Sequence, residues 1–127
     1  MTTILVVDDN LPNQRLLGFI LEQNDYAVLT ANNGVQALAK LEVSQVDLLV
    51  TDLSMPEMDG VTLVQRMRDN ECYKHVPVIV LTASGRERDL MRATDCGADA
   101  CLTKPLEPDD LVATVQRLMK DEVRIKH

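Results

Sequence analysis

The sequence predicts a doubly wound, three-layer α/β sandwich built on a five-stranded parallel sheet. Three observations predict it. Short β-branched or Leu-rich runs recur at fairly even intervals, segments with helical apolar spacing lie between them, and four of the five runs end in polar residues able to do chemistry.

Taken in order, the first run is Thr3 to Val7. Asn10 with Pro12 then marks a helix start, and Leu16 with Ile20 supplies its apolar spacing. The second run is Tyr26 to Thr30, followed by a helical segment carrying Val35, Leu38 and Leu41. The third run, Val46 to Val50, leads to a segment with Val64 and Met67, for which Asp59 is the expected cap. The fourth run is Val76 to Leu81. Its Pro77 falls in the first positions, where a missing ladder donor is tolerated.

A fourth helical segment opens on the polar run Arg86 to Asp89 and has only Leu90, Met91 and Ala93 to bury, so it is expected to be the most loosely held. The fifth run is Ala98 to Leu102. A last helix carries Leu111, Val115 and Leu118, with Pro108, Asp109 and Asp110 at its start.

The first four runs are apolar over most of their length, as strands are when helices cover both faces of a parallel sheet. Right-handed crossovers then favour the flavodoxin-like order 2-1-3-4-5, which makes the second strand an edge.

A chain of 127 residues fits a single domain over 1–127, with 121–127 as a possible tail or linker. The longest apolar runs are too short to span a bilayer and no signal-like segment is evident, so a soluble cytoplasmic protein with no membrane partner is expected. A net charge of -7, with one Phe, two Tyr and no Trp, leaves neither a basic stripe nor stacking platforms, which argues against direct nucleic-acid binding. Cys72, Cys96 and Cys101 show no metal-ligand spacing and are expected to be reduced, mostly buried thiols. His75 and His127 read as solvated, and the six methionines as core filler.

In open parallel sheets, ligands sit beyond the carboxyl ends of the strands. There the sequence places Asp8 and Asp9 after the first run, Asp52 after the third, Thr82 after the fourth, and Thr103 with Lys104 after the fifth. Any one of these acids alone would read as a helix cap or a solvated loop residue; their convergence is the signal. Three converging carboxylates repel one another and call for a divalent cation. Oxygen-only ligation suits magnesium, with manganese as a substitute, and three carboxylates, one ammonium and one divalent ion sum to zero charge. Such a site favours phosphoryl transfer with Asp52 as nucleophile.

The residues resemble the receiver domains of two-component signalling from Ile4 to about Met119. The likeness rests on Asp8-Asp9 after ILVV, on Asp52-Leu53-Ser54-Met55-Pro56-Glu57-Met58-Asp59-Gly60, on Thr82-Ala83 after VIVL, and on Lys104-Pro105. The resemblance implies a regulatory phosphoacceptor, catalysing only its own phosphorylation and dephosphorylation, served by a histidine kinase or a histidine phosphotransfer protein. It implies Asp52 as the phosphorylated residue, and Asp8, Asp9, Asp52 and the Ser54 carbonyl as the metal site. By the same resemblance Lys104 pairs with the acceptor and then the phosphoryl group, Thr82 moves to bond it, Ala83 supplies a backbone donor, and the Lys104-Pro105 bond is cis.

One position departs from the family's pattern: Cys101 stands three residues before the lysine, where the family usually has Tyr or Phe. The report of phosphorylation is therefore expected to run through the Thr82 loop and the fourth helical segment. Two other classes fit less well. A haloacid-dehalogenase-like phosphatase needs a general acid two residues after the nucleophile, where Ser54 stands. A flavodoxin-like FMN carrier needs a phosphate loop after the first strand, where Asp8 and Asp9 would repel the phosphate.

Overall fold

The computed structural model describes residues 2–53, 58–82, 91, 95, 97–104 and 106–125, with side chains to residue 120. Its elements run β1 (Thr3–Val7), α1 (Leu11–Glu22), β2 (Ala27–Ala31), α2 (Gly34–Val43), β3 (Leu48–Asp52), α3 (Gly60–Arg68), β4 (Val78–Thr82), β5 (Ala100–Thr103) and α4 (Pro108–Ile125). The five strands form one sheet in the order β2-β1-β3-β4-β5, every neighbouring pair parallel. The expected fold class and strand order are those observed. The helical segment expected from Arg86 lies largely outside the described residues.

Each interior strand is apolar on both faces because each face meets a helix layer. Leu5, Val7, Leu49, Val78 and Val80 point into one core with residues of α2 and α3, including Leu41, Leu63 and Met67. Their neighbours in the alternation, Ile4, Val6, Leu48, Val50, Ile79 and Leu81, point into the other core with α1 and α4. Side chains such as Leu5 and Leu49 are fully buried, each stabilising the fold by about 1.5–3 kcal/mol relative to an exposed position. β2, at the edge, is only half-buried along most of its length.

The caps follow the sequence. The Asn10 side chain accepts from the backbone N–H of Asn13, with Pro12 in the first turn of α1. Asp59 accepts from Thr62 N–H at 2.8 Å and opens α3, and α4 begins at Pro108.

Three expectations are corrected. Strands three, four and five start about two residues later than their apolar runs, because Val46, Val76 and Ala98 precede the first paired residues Leu48, Val78 and Ala100. Pro77 thus sits outside β4 and contributes only its carbonyl, which accepts from Leu49 N–H at 3.0 Å. Leu16 and Val35 are exposed at 58% and 53%: the inward stripe of α1 is Leu17, Ile20 and Leu21, and that of α2 is Ala37 and Leu41. Cys72 is exposed rather than buried; Cys101 is partly buried, and Cys96 lies outside the described residues. His75 is exposed, as expected.

At the amino-terminal ends of the strands, Arg68 closes α3 with a set of bonds to carbonyl oxygens. Its guanidinium donates to Gly97 O at 2.9 Å, Lys74 O at 2.9 Å and Val76 O at 2.7 Å, and pairs with Asp99 at 2.9 Å. Gly97, at φ 103°, takes a left-handed conformation beneath it that suits glycine. Among the described residues, no helix is long and apolar enough to cross a membrane.

Candidate functional site

The carboxyl ends of β1 and β3 lie side by side because the strands pair in register, Val7 beside Thr51. Asp8 and Asp9 follow the first and Asp52 ends the second. One carboxylate oxygen from each of Asp8, Asp9 and Asp52 lies within 4.8 Å of the others. Lys104, immediately after β5, reaches across the end of β4 and places its Nζ 3.1 Å from Asp52 Oδ2. The backbone holds this reach, since Lys104 N–H donates to Thr82 O at 2.8 Å.

Burial grades the cluster. Asp8 is fully buried, Asp52 is half-buried and Asp9 is exposed. Burial pushes the Asp8 carboxyl above the usual carboxylate range, and the neighbouring Asp52 and Asp9 charges act in the same direction; the Asn10 N–H bond and Lys104 oppose them. Asp8 Oδ1 accepts from Asn10 N–H at 2.9 Å, but the buried Oδ2 has no hydrogen-bond partner among the described residues. Buried polar atoms are nearly always satisfied, so an unpartnered acidic oxygen in a carboxylate that clusters with two others fits a cation partner. The donors are all carboxylate oxygens, which fits a hard divalent ion.

Thr82 ends β4 and is buried; it pairs in register with Thr103, while the preceding Leu81 pairs with Asp52. Cys101 pairs with Val80, two residues behind Thr82 along β4, and packs against the core under α2 and α3. Ser54, Ala83 and Pro105 lie outside the described residues. The sequence-derived set Asp8, Asp9, Asp52 and Lys104 is therefore brought to one end of the sheet, with Thr82 on the adjoining strand end.

An apolar groove of about 310 Å³ beside Asp8 and Lys104 is lined by Leu16, Leu17 and Ile20 of α1, by Leu81 of β4, and by Leu106 ahead of α4. A second cleft of about 270 Å³, lined in part by Asp47, Cys72, Tyr73 and His75, lies at the opposite end of the strands, away from the acids. Sequence reading missed Gln14. Its side chain is 7% exposed and donates to the backbone of the loop that carries Asp8. The one signal for it was a polar residue among the apolar positions of α1.

A five-stranded parallel sheet in this order, with its acids gathered at the carboxyl edge, is the architecture of a receiver domain. The sequence pattern of the response regulator receiver domain matches residues 4–116, and the chain belongs to that family. It is thus a regulatory domain of two-component signalling.

Its relatives include the DNA-binding dual master transcriptional regulator RpaA of Synechocystis sp., 37% identical over 98% of this chain and 52% of that protein. Another is an uncharacterized 14.6 kDa protein of Leptolyngbya boryana, 43% identical over 90% of this chain and 87% of that one. The chain spans about half the length of relatives such as RpaA and the regulatory protein ResD of Bacillus subtilis. Among solved structures, the signal receiver domain of a histidine kinase from Syntrophus aciditrophicus superposes with a TM-score of 0.90 at 35% identity, covering 95% of this chain and 92% of that one. The chemotaxis protein CheY4 of Vibrio cholerae gives 0.88 at 32% identity, covering 93% and 98%.

Proposed function

We propose that Asp52 is the phosphoacceptor of this receiver domain and that its phosphorylation switches the molecule. The observation that carries this reading is the Lys104–Asp52 contact at 3.1 Å beside the Asp8 and Asp9 carboxylates. An Asp52 oxygen attacks the phosphorus of a donor, a partner's phosphohistidine or a small acyl phosphate. The bond from phosphorus to the donor breaks, the imidazole or carboxylate departs, and an acyl phosphate remains on Asp52. Water later attacks the phosphorus, the bond to the Asp52 oxygen breaks and inorganic phosphate leaves, so the free carboxylate is restored and the protein acts as a switch.

Asp8, Asp9 and Asp52, with the Ser54 carbonyl, would hold magnesium, or manganese in its place. The ion supplies positive charge to phosphoryl oxygens. Lys104 supplies a second positive group, 3.1 Å from Asp52, and orients the Asp52 carboxylate before attack. Thr82 is the hydroxyl that bonds the phosphoryl oxygen, Ala83 provides a backbone donor beside it, and the segment after β4 carries the change outward. Cys101 gives the domain no aromatic ring to report that movement, so the Thr82 loop bears the signal.

The groove along α1, which includes Leu106 and Lys104, offers a donor protein an apolar approach to the acid cluster. A histidine kinase or histidine phosphotransfer protein is the proposed partner. The chain acts as one domain over 1–127 with 121–127 as tail or linker. Its net charge of -7 disfavours direct contact with nucleic acid, and a cytoplasmic setting suits the donors.

The test is incubation with acetyl phosphate or beryllofluoride, with and without magnesium, for the native chain and Asp52→Asn. Modification that needs both magnesium and Asp52 is expected; equal modification of the two proteins would overturn the assignment.

A further inference from the structure

We propose that Gln14 is a positioning residue that sets the divalent-cation affinity of the acid cluster by fixing the peptide of Asp8. The inference rests on the reading of Asp8, Asp9 and Asp52 as a metal site. Gln14 lies near the start of α1, is almost fully buried, and points its amide at the turn leaving β1. Nε2 is 3.1 Å from Asp8 O, 3.1 Å from Ala31 O and 2.9 Å from Asn32 Oδ1. Its two N–H groups thus serve three acceptors, one of them shared.

The geometry assigns the amide more than the satisfaction of buried carbonyls. Asp8 N–H donates to Ala31 O at 3.1 Å, and Asp8 O accepts from Gln14, so this residue is held at both its backbone polar groups. Asp8 Oδ1 is held in turn by Asn10 N–H at 2.9 Å. Three of the four polar atoms of Asp8 are tied, the fourth, Oδ2, has no hydrogen-bond partner among the described residues, and the carboxylate lies beside those of Asp9 and Asp52.

Mutual repulsion of the carboxylates pushes the β1–α1 turn away from β3 whenever no cation is bound. A neutral amide anchored to the end of β2 opposes that displacement without altering the charge of the cluster. The ion then meets ligands already in place, and less of its binding energy goes into drawing them together. The end of β2 carries no acid of its own, yet it serves as the anchor.

Magnesium titrations followed by amide proton–nitrogen spectra test this on the full chain, comparing wild type with Gln14→Met, Gln14→Asn and Arg68→Ala. Methionine keeps the length and loses the donors, asparagine keeps the amide one methylene short, and Arg68→Ala loosens the fold at the far end of the strands. Both Gln14 variants are expected to weaken magnesium binding by about tenfold to a hundredfold, the range for groups that orient metal ligands. Arg68→Ala is expected to bind as wild type does.

Magnesium affinity for Gln14→Met within about twofold of wild type would overturn the proposal, since groups that orient metal ligands cost more than that; so would equal weakening by Arg68→Ala. Should Gln14→Met not fold, Gln14→Asn decides by the same threshold. A wild-type protein that shows no magnesium response at Asp8, Asp9 or Asp52 removes the metal reading itself, and this inference with it.

Discussion

Gly60 sits so close to Asp52 that a Cβ built on it would lie 2.5 Å from the Asp52 carbonyl oxygen and 3.0 Å from Leu53 Cα. The start of α3 is tied to the end of β3 across that gap, with Gly60 N–H donating to Leu53 O at 2.8 Å. Both atoms facing the gap are backbone, so neither can step aside by changing rotamer.

Gly60→Ala is therefore expected to destabilise the fold by about 1–3 kcal/mol, the usual cost of forcing a methyl group into a closed space. It should also displace the end of β3 and lower beryllofluoride uptake at Asp52. Urea unfolding checks the first expectation, and fluorine spectra of the adduct check the second.

Lys104→Met retains the length of the side chain and removes the charge facing Asp52 at 3.1 Å. A charge-assisted bond of this kind contributes about 1.5–3 kcal/mol, so phosphorylation by acetyl phosphate should slow by roughly tenfold to a hundredfold. Rates of Asp52 modification at fixed magnesium provide the measurement.

The raised pKa of Asp8 gives stability a pH dependence of definite sign. Near pH 3 the carboxyl is protonated in both folded and unfolded chains and contributes nothing. As pH rises through the ordinary carboxylate value the unfolded chain ionises first, and the penalty on folding grows until the folded carboxyl also ionises, then stays constant. In chelator, Asp8→Asn should therefore be more stable than wild type near pH 7, with the difference vanishing near pH 3. The same shift makes magnesium affinity decline as pH falls through the raised value. Chemical unfolding at several pH values and magnesium titrations at each test the two expectations.

Asp25 takes a left-handed backbone conformation, φ 69°, in the turn between α1 and β2. The side chain is exposed, so relief of backbone strain is the dominant effect of replacing it. Asp25→Gly is expected to stabilise the fold by up to about 1 kcal/mol, the strain relieved being partly offset by the greater freedom of glycine in the unfolded chain. A thermal melt decides this.

Arg68→Ala leaves the carbonyls of Val76 and Gly97 without their donor. A loss of about 1–3 kcal/mol is expected in urea unfolding, and it should persist in high salt, since the carbonyl bonds outweigh the partly exposed pair with Asp99.

Much of this was legible in the chain. β-Branched runs set the strands, and the rule that chemistry gathers beyond their carboxyl ends picked out Asp8, Asp9, Asp52 and Lys104 before any coordinates. Asn10 and Asp59 showed themselves as caps because capping is local, decided within three residues. What stayed hidden was tertiary. Leu16 reads like a core residue until the direction of α1 is known, and it turns outward while Leu17 and Leu21 face the sheet. The strand starts depend on where a neighbour begins to pair, which Val46 and Val76 cannot reveal. Gln14 and Arg68 owe part of their roles to carbonyls 17 and 29 residues away, contacts that no spacing rule reaches.

β3 lies between β1 and β4, its first four residues fully covered, and it carries Asp52 at its tip. An acid mounted on a buried interior strand has a close-packed core behind it, with little room for recoil. Whatever force a new charge exerts there is delivered forward, into the turns around it, and the scaffold acts as an anvil for the signal.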